Sequence, residues 1–217
     1  MIEIKEQENL FLQIARKLKT KVNCYAIGGT ALMFLGLKAA TLDIDLVFDK
    51  DLERRAFKEA AKLSGFNEMD SRIMYGKKEN VPEVVKRSDS RIDMFLFKVI
   101  NSTFSESMQK RSVNTHQFAE NLFIRVADVH DILIMKSITG RLKDEEDIVR
   151  IISTSKVDWN IIIEEAKNQI ELGNTIAILD LGATLEGINN KKLSEIPKSV
   201  LDELFGLFKQ QAKTKVR

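Results

Sequence analysis

The sequence predicts an α/β (α+β) fold, with strands and helices alternating through its first half and helices alone in the second. Three observations carry that prediction. Val22-Asn23-Cys24-Tyr25-Ala26-Ile27 is rich in strand formers and stops at Gly28-Gly29. Leu42-Asp43-Ile44-Asp45-Leu46-Val47-Phe48 alternates at period two, which reads as a strand carrying both acids on one face. From Asp128 onward the apolar residues recur at helical spacing instead. No Gly/Ser-rich linker separates the two textures, so two domains are expected, 1–127 and 128–217, the helical one packed on the first.

The remaining elements follow in order. Leu10, Phe11, Ile14 and Leu18 predict an amphipathic helix near 5–19. After the strand, the two glycines tolerate positive φ, and Thr30 is a fair N-cap for a helix over 31–35. Asp51 opens another helix with Leu52, Phe57, Ala60, Ala61 and Leu63 as its apolar set, ending at Ser64-Gly65. Residues 66–76 read as a strand or a strand pair. The polar stretch 77–90, with Pro82, reads as a loop or lid, and Lys77, Lys78, Lys86, Arg87 and Arg91 lie among acids as on a solvated loop. Residues 91–97 form an apolar strand with one acid in it, 105–111 is helical or irregular, and 112–115 and 122–126 are short strands. Helices are expected over 129–139, 144–154, 158–171, 174–186 and 198–212, ending in a small basic tail of Lys209, Lys213, Lys215 and Arg217.

Composition narrows the context. The chain has 217 residues, 44% of them apolar, which is enough for a sizeable core. A formal net charge of +2 creates no global field toward nucleic acid, and stable DNA binding is not expected. The lone cysteine, Cys24, sits on a core strand and reads as a small buried hydrophobe. The segment Met1-Ile2-Glu3-Ile4-Lys5-Glu6 lacks an apolar leader region, and no apolar run approaches membrane-spanning length. A soluble, cytoplasmic protein with no membrane partner is expected.

The chemistry concentrates in a few positions. A strand, two glycines and a helix start aim free N–H groups and a helix dipole at one spot, which anions favour. Asp43 and Asp45 can reach one hard cation or two side by side, and magnesium takes carboxylates together with substrate phosphates. Alone, Gly-Gly is a turn and Asp-x-Asp a wet strand face; joined in this order they indicate phosphate beside metal. Asp93 lies in an apolar strand, where a carboxylate is costly without a partner. It is expected to serve as a third metal ligand or general base, or else to pair with Arg91. Lys136 lies on an inward face of a helix apolar almost all round, and a buried ammonium needs an anion. A phosphate beside the metal would serve, as would Asp144 or Asp147. These two acids share a face with Ile148 and Ile151, whereas Glu145 and Glu146 point outward. Arg141, Lys143, Asp144 and Asp147 form a second tier, a charge cluster at the domain junction. His116 and His130 lack any spacing for zinc or a nucleophile triad.

These residues resemble the minimal nucleotidyltransferases of the polymerase-β-like superfamily, whose pattern is Gly-Gly-Ser/Thr, roughly ten residues, Asp-x-Asp, then a later strand Asp. The nearer likeness is to AbiE-type toxin nucleotidyltransferases and their uncharacterised relatives. Gly28-Gly29-Thr30-Ala31-Leu32, Thr41-Leu42-Asp43-Ile44-Asp45-Leu46 and Asp93 look like their metal and triphosphate site. The segment from Lys136 to Asp147 resembles their Lys…Arg-x-Lys-Asp-x-x-Asp. Relatives commonly carry Arg two residues before the Thr that precedes Asp-x-Asp; here that position is Ala39, beside Lys38. The resemblance implies a mixed-sheet nucleotidyltransferase core flanked by helices, followed by a C-terminal helical domain. It implies a two-ion magnesium site, with manganese as the alternative, held by Asp43, Asp45 and Asp93. Gly28, Gly29, Thr30 and Thr41 would bind the nucleotide, and Lys136 would join the catalytic set. NTP would be the donor, RNA (tRNA above all) or protein the acceptor, and an antitoxin the cognate partner. The competing expectation is a catalytically degenerate module of the same fold that binds nucleotide or a partner.

Overall fold

The structure is a computed structural model that describes residues 1–139 and 142–214. The chain divides into two compact units, Met1–Ile100 with Met108–Asp128, and Asn101–Ser107 with Val129–Arg217. The first contains β1 (Ile2–Glu3), α1 (Ile4–Ala15), β2 (Val22–Ala26), α2 (Gly28–Phe34), β3 (Ala40–Thr41), β4 (Ile44–Phe48) and α3 (Asp51–Leu63). It continues with β5 (Asn67–Met69), α4 (Arg72–Tyr75), β6 (Glu83–Arg87), β7 (Ser90–Leu96) and β8 (Lys98–Val99). The short β9 (Ser102–Thr103) falls in the second unit. After α5 (Glu106–Arg111), β10 (Thr115–Phe118) and β11 (Leu122–Val126) return to the first.

The main sheet is mixed and runs β10-β11-β2-β4-β7-β6-β5. The central neighbours β11·β2 and β4·β7 pair in parallel, while β2·β4 and β6·β7 are antiparallel. Strands at the centre are close to continuously apolar, and Cys24, Ile44, Leu46, Ile92 and Met94 are fully buried. That is the pattern of strands covered on both faces. Phe57 of α3 packs on Phe48 of β4, with ring centroids 5.5 Å apart. Phe11 of α1 packs on Phe118 of β10 at 5.3 Å. A mixed sheet with flanking helices matches the α/β class expected from the alternation of elements.

Two stretches differ from their sequence expectation. Residues 77–90 are not simply a loop, because β6 lies within them and pairs with both β5 and β7. Only Val84 and Val85 give it an apolar signature. Its charges are accommodated at the surface: Glu83 pairs with Arg54 and Lys58, and Arg87 lies over the Phe66 ring. Backbone pairing on both sides supplies what local pattern lacks. Residues 66–76 hold one short strand, β5, and the single helical turn α4.

The second unit contains α6 (Val129–Ser137), α7 (Leu142–Thr154), α8 (Trp159–Glu171), α9 (Thr175–Asn190) and α10 (Lys198–Thr214). Its apolar centre includes Ile132, Leu133, Ile134, Ile148, Leu181 and Leu185. Segment 101–107 joins this unit through α8: Gln169 donates to the Thr103 carbonyl and accepts from its N–H, at 2.7 and 3.0 Å. Buried Glu165 accepts from Ser105 Oγ at 2.8 Å and from Gln169 Nε2 at 3.0 Å. Such partners offset the cost of burying a carboxylate. Among the described residues, no helix is long and apolar enough to cross a membrane.

Candidate active site

Parallel pairing of β4 with β7 sets Asp45 directly opposite Asp93. Asp43 lies in the bend just before β4 rather than within the strand, because pairing begins only at Ile44. One oxygen from each of Asp43, Asp45 and Asp93 lies within 4.8 Å of the others. The sheet thus brings together three carboxylates separated by up to fifty residues of sequence. An all-oxygen donor set of this kind suits a hard divalent cation.

The glycine turn is moulded to these acids. The helix α2 begins at Gly28, and Ile27 is its N-cap, so Thr30 is not the cap that its sequence position suggested. Gly28 adopts φ +55, and a Cβ there would come within 2.7 Å of Asp45 Oδ2. A Cβ on Gly29 would strike Thr41 Oγ1. Both glycines are therefore required by close approach, and at Gly28 also by backbone conformation. Thr30 is fully buried and its hydroxyl accepts from the Asp45 N–H at 2.9 Å. Ile27 N–H donates to the Asp45 carbonyl at 3.1 Å. The first turn of α2, with the N–H groups a helix start cannot satisfy internally, is thereby fixed beside the carboxylates.

Two further side chains stand in the site. Arg91, two residues before Asp93 on the same sheet face, pairs with Asp43 through Nη2 and places Nε 3.0 Å from Asp93 Oδ1. This is the ion pair the sequence offered as the alternative to a metal role for Asp93. Tyr75 donates its hydroxyl to Asp93 Oδ2 at 2.5 Å. Its ring meets Phe95 edge-on, with centroids 6.2 Å apart. Burial pushes the Asp93 carboxyl up to about 6, against the lowering effects of the Tyr75 hydrogen bond and the Arg91 charge. Burial and the negative charges of Asp93 and Asp45 hold the Tyr75 phenol above its usual value. For Arg91, burial pulls downward but Asp93 and Asp43 more than compensate, so it stays charged. Sequence reasoning missed Tyr75. Its only local signal was an aromatic residue in a stretch of unclear structure, Ile73-Met74-Tyr75-Gly76.

The other candidates lie in the second unit. Lys136 is buried and its ammonium is 2.7 Å from both Asp144 Oδ1 and Asp147 Oδ2. Thr139 Oγ1 also donates to Asp144. The structural pair foreseen for Lys136 is thus formed, with both acids at once. Lys143 is exposed, as is Glu146, and Glu145 reaches Lys191 at 2.7 Å. Arg141 lies outside the described residues. His130 Nε2 accepts from the Asp158 N–H at 2.8 Å, and His116 stacks on Phe34 at 4.2 Å. Neither histidine belongs to the carboxylate cluster.

Comparison with known proteins gives one family. A family model described as "Nucleotidyltransferase of unknown function (DUF6036)" matches residues 5–177. That span includes the glycine turn, all three carboxylates, Tyr75 and Arg91. No curated protein matches the chain.

Proposed function

The chain belongs to this nucleotidyltransferase family, and we propose that it transfers a nucleoside monophosphate from an NTP to an acceptor hydroxyl, using magnesium. The observation that carries the proposal is the convergence of Asp43, Asp45 and Asp93 within 4.8 Å, beside a glycine turn packed on Asp45. Asp43 and Asp45 would hold two magnesium ions and Asp93 one of them, manganese being the alternative. Bound there, the metal would neutralise the phosphates and acidify the acceptor hydroxyl.

The chain's own groups do the rest. Gly28, Gly29 and Thr30 direct first-turn N–H groups toward the triphosphate, with Thr41 at the wall of that turn. Thr30 keeps the turn and Asp45 in one arrangement through its 2.9 Å bond. Asp93, opposite Asp45 in the sheet, takes the acceptor's proton. Arg91 balances the clustered negative charge through Asp43 and Asp93.

The acceptor we propose is RNA, and the setting a cytoplasmic toxin–antitoxin pair, on the AbiE-type likeness of the motifs. The test is incubation with total RNA, magnesium and each α-labelled NTP, for the wild type and for Asp43→Ala and Asp45→Ala. Label should enter RNA with the wild type alone; labelling that persists in both variants overturns the assignment. A second reading, a degenerate module that binds nucleotide without turnover, is favoured by Arg91 standing among the carboxylates and by Ala39. NTP binding by calorimetry with no pyrophosphate release in the presence of RNA and protein would select it.

A further inference from the structure

We propose that Tyr75 is itself an acceptor, so that the chain nucleotidylates its own Tyr75 hydroxyl. The inference rests on the nucleotidyl-transfer reading and adds a modification site to it. Asp93 is the carboxylate assigned to receive the acceptor's proton, and the hydroxyl bonded to it is that of Tyr75, at 2.5 Å. The Tyr75 hydroxyl therefore has the partner that the proposed reading gives to the acceptor hydroxyl.

The surroundings favour delivery of this side chain over chance packing. In α4, Ile73 and Met74 are 71% and 51% exposed, while Tyr75 turns inward. An apolar turn ordinarily buries its aliphatic residues first. Here the polar-tipped aromatic is inserted and its aliphatic neighbours are left in solvent. Gly76 follows at φ +63, so the turn ends on a residue that can redirect the chain. Phe95 holds the ring edge-on and limits its rotation.

The step balances without any further reactant. The phenolic oxygen attacks the α-phosphorus of the bound NTP as its proton passes to Asp93. The bond from the α-phosphorus to the oxygen bridging to the β-phosphate breaks, and pyrophosphate leaves with that electron pair. The product is a phosphodiester between Tyr75 and the nucleoside monophosphate. Self-modification of this kind competes with transfer to RNA for the same Asp93.

The experiment uses the full chain, magnesium and each α-labelled NTP, with and without total RNA. The chain has two tyrosines, and Tyr25 lies elsewhere, beside Arg125 and Gln109. We expect a mass gain of one nucleoside monophosphate, mapped to the tryptic peptide 73–77, at a rate per chain independent of protein concentration. Tyr75→Phe should lose the label and Tyr25→Phe should keep it. The wild-type peptide map decides the question even if Tyr75→Phe folds poorly. Label elsewhere on the chain, or labelled RNA with an unlabelled chain, overturns the proposal while leaving nucleotidyl transfer standing. Label in neither, with no pyrophosphate release, overturns both.

Discussion

Arg91 and Asp93 lie two residues apart on β7, and Arg91 Nε stands 3.0 Å from Asp93 Oδ1 while its Nη2 pairs with Asp43. A single guanidinium thus sits between two acids that a divalent cation would also contact. The guanidinium offsets the cost of fully burying Asp93.

Replacing Arg91 with Met should therefore destabilise the metal-free protein by about 3 kcal/mol, the scale for removing one partner of a buried pair. Magnesium should restore more stability to Arg91→Met than it adds to the wild type. Thermal unfolding with and without magnesium measures both. Equal responses to the ion would show that Arg91 and the cation do not share a place.

Asp93 also predicts a pH dependence. Its carboxyl rises from 3.8 to about 6 on folding, chiefly through burial. Between these values the folded chain holds a proton that the unfolded chain has released. Its contribution to stability is thus full below about pH 4 and is lost as pH rises to about 6. The slope is at most about 1.4 kcal/mol per pH unit. Urea midpoints across this window should fall less steeply with pH in Asp93→Asn than in the wild type.

Gly28→Ala should harm the site more than its size suggests. The new Cβ meets Asp45 Oδ2 at 2.7 Å on a backbone at φ +55. We expect a loss of about 1–3 kcal/mol from backbone strain, together with weaker magnesium binding because Asp45 must shift. Calorimetric titration with magnesium and a denaturation curve separate the two effects. Gly29→Ala clashes with Thr41, so pairing it with Thr41→Gly should recover stability.

Two lysine pairs should contrast sharply. Lys136→Ala leaves Asp144 and Asp147 without their buried ammonium and should cost about 3–5 kcal/mol. Lys191→Ala breaks the half-exposed bridge to Glu145 and should cost under about 1 kcal/mol. Chemical denaturation of both variants gives the comparison.

Much of the candidate site was legible because its signals are local. Gly28-Gly29, Asp43-x-Asp45 and the acid within the Arg91-Ile92-Asp93 strand each declare themselves within a few residues. The α3 boundaries, Asp51 to Leu63, follow from an acid at the start, helical apolar spacing and a Ser-Gly stop. The elements that escaped had weak local signals. β6 carries two buried valines among charges, and α4 is a single turn whose direction no periodicity reveals. Thr30 has the local look of a cap, since a threonine follows two glycines. Its actual partner, the Asp45 N–H, lies fifteen residues away.

Sequence alone determined the alternation of elements, the glycine turn, the paired acids and the buried character of Asp93 and Lys136, since periodicity and residue chemistry act over short spans. Only tertiary structure decided that Asp45 faces Asp93, that Arg91 stands between Asp43 and Asp93, and that Tyr75 reaches the same carboxylate. Those contacts depend on strand order and register, and register is set by pairing across the whole sheet.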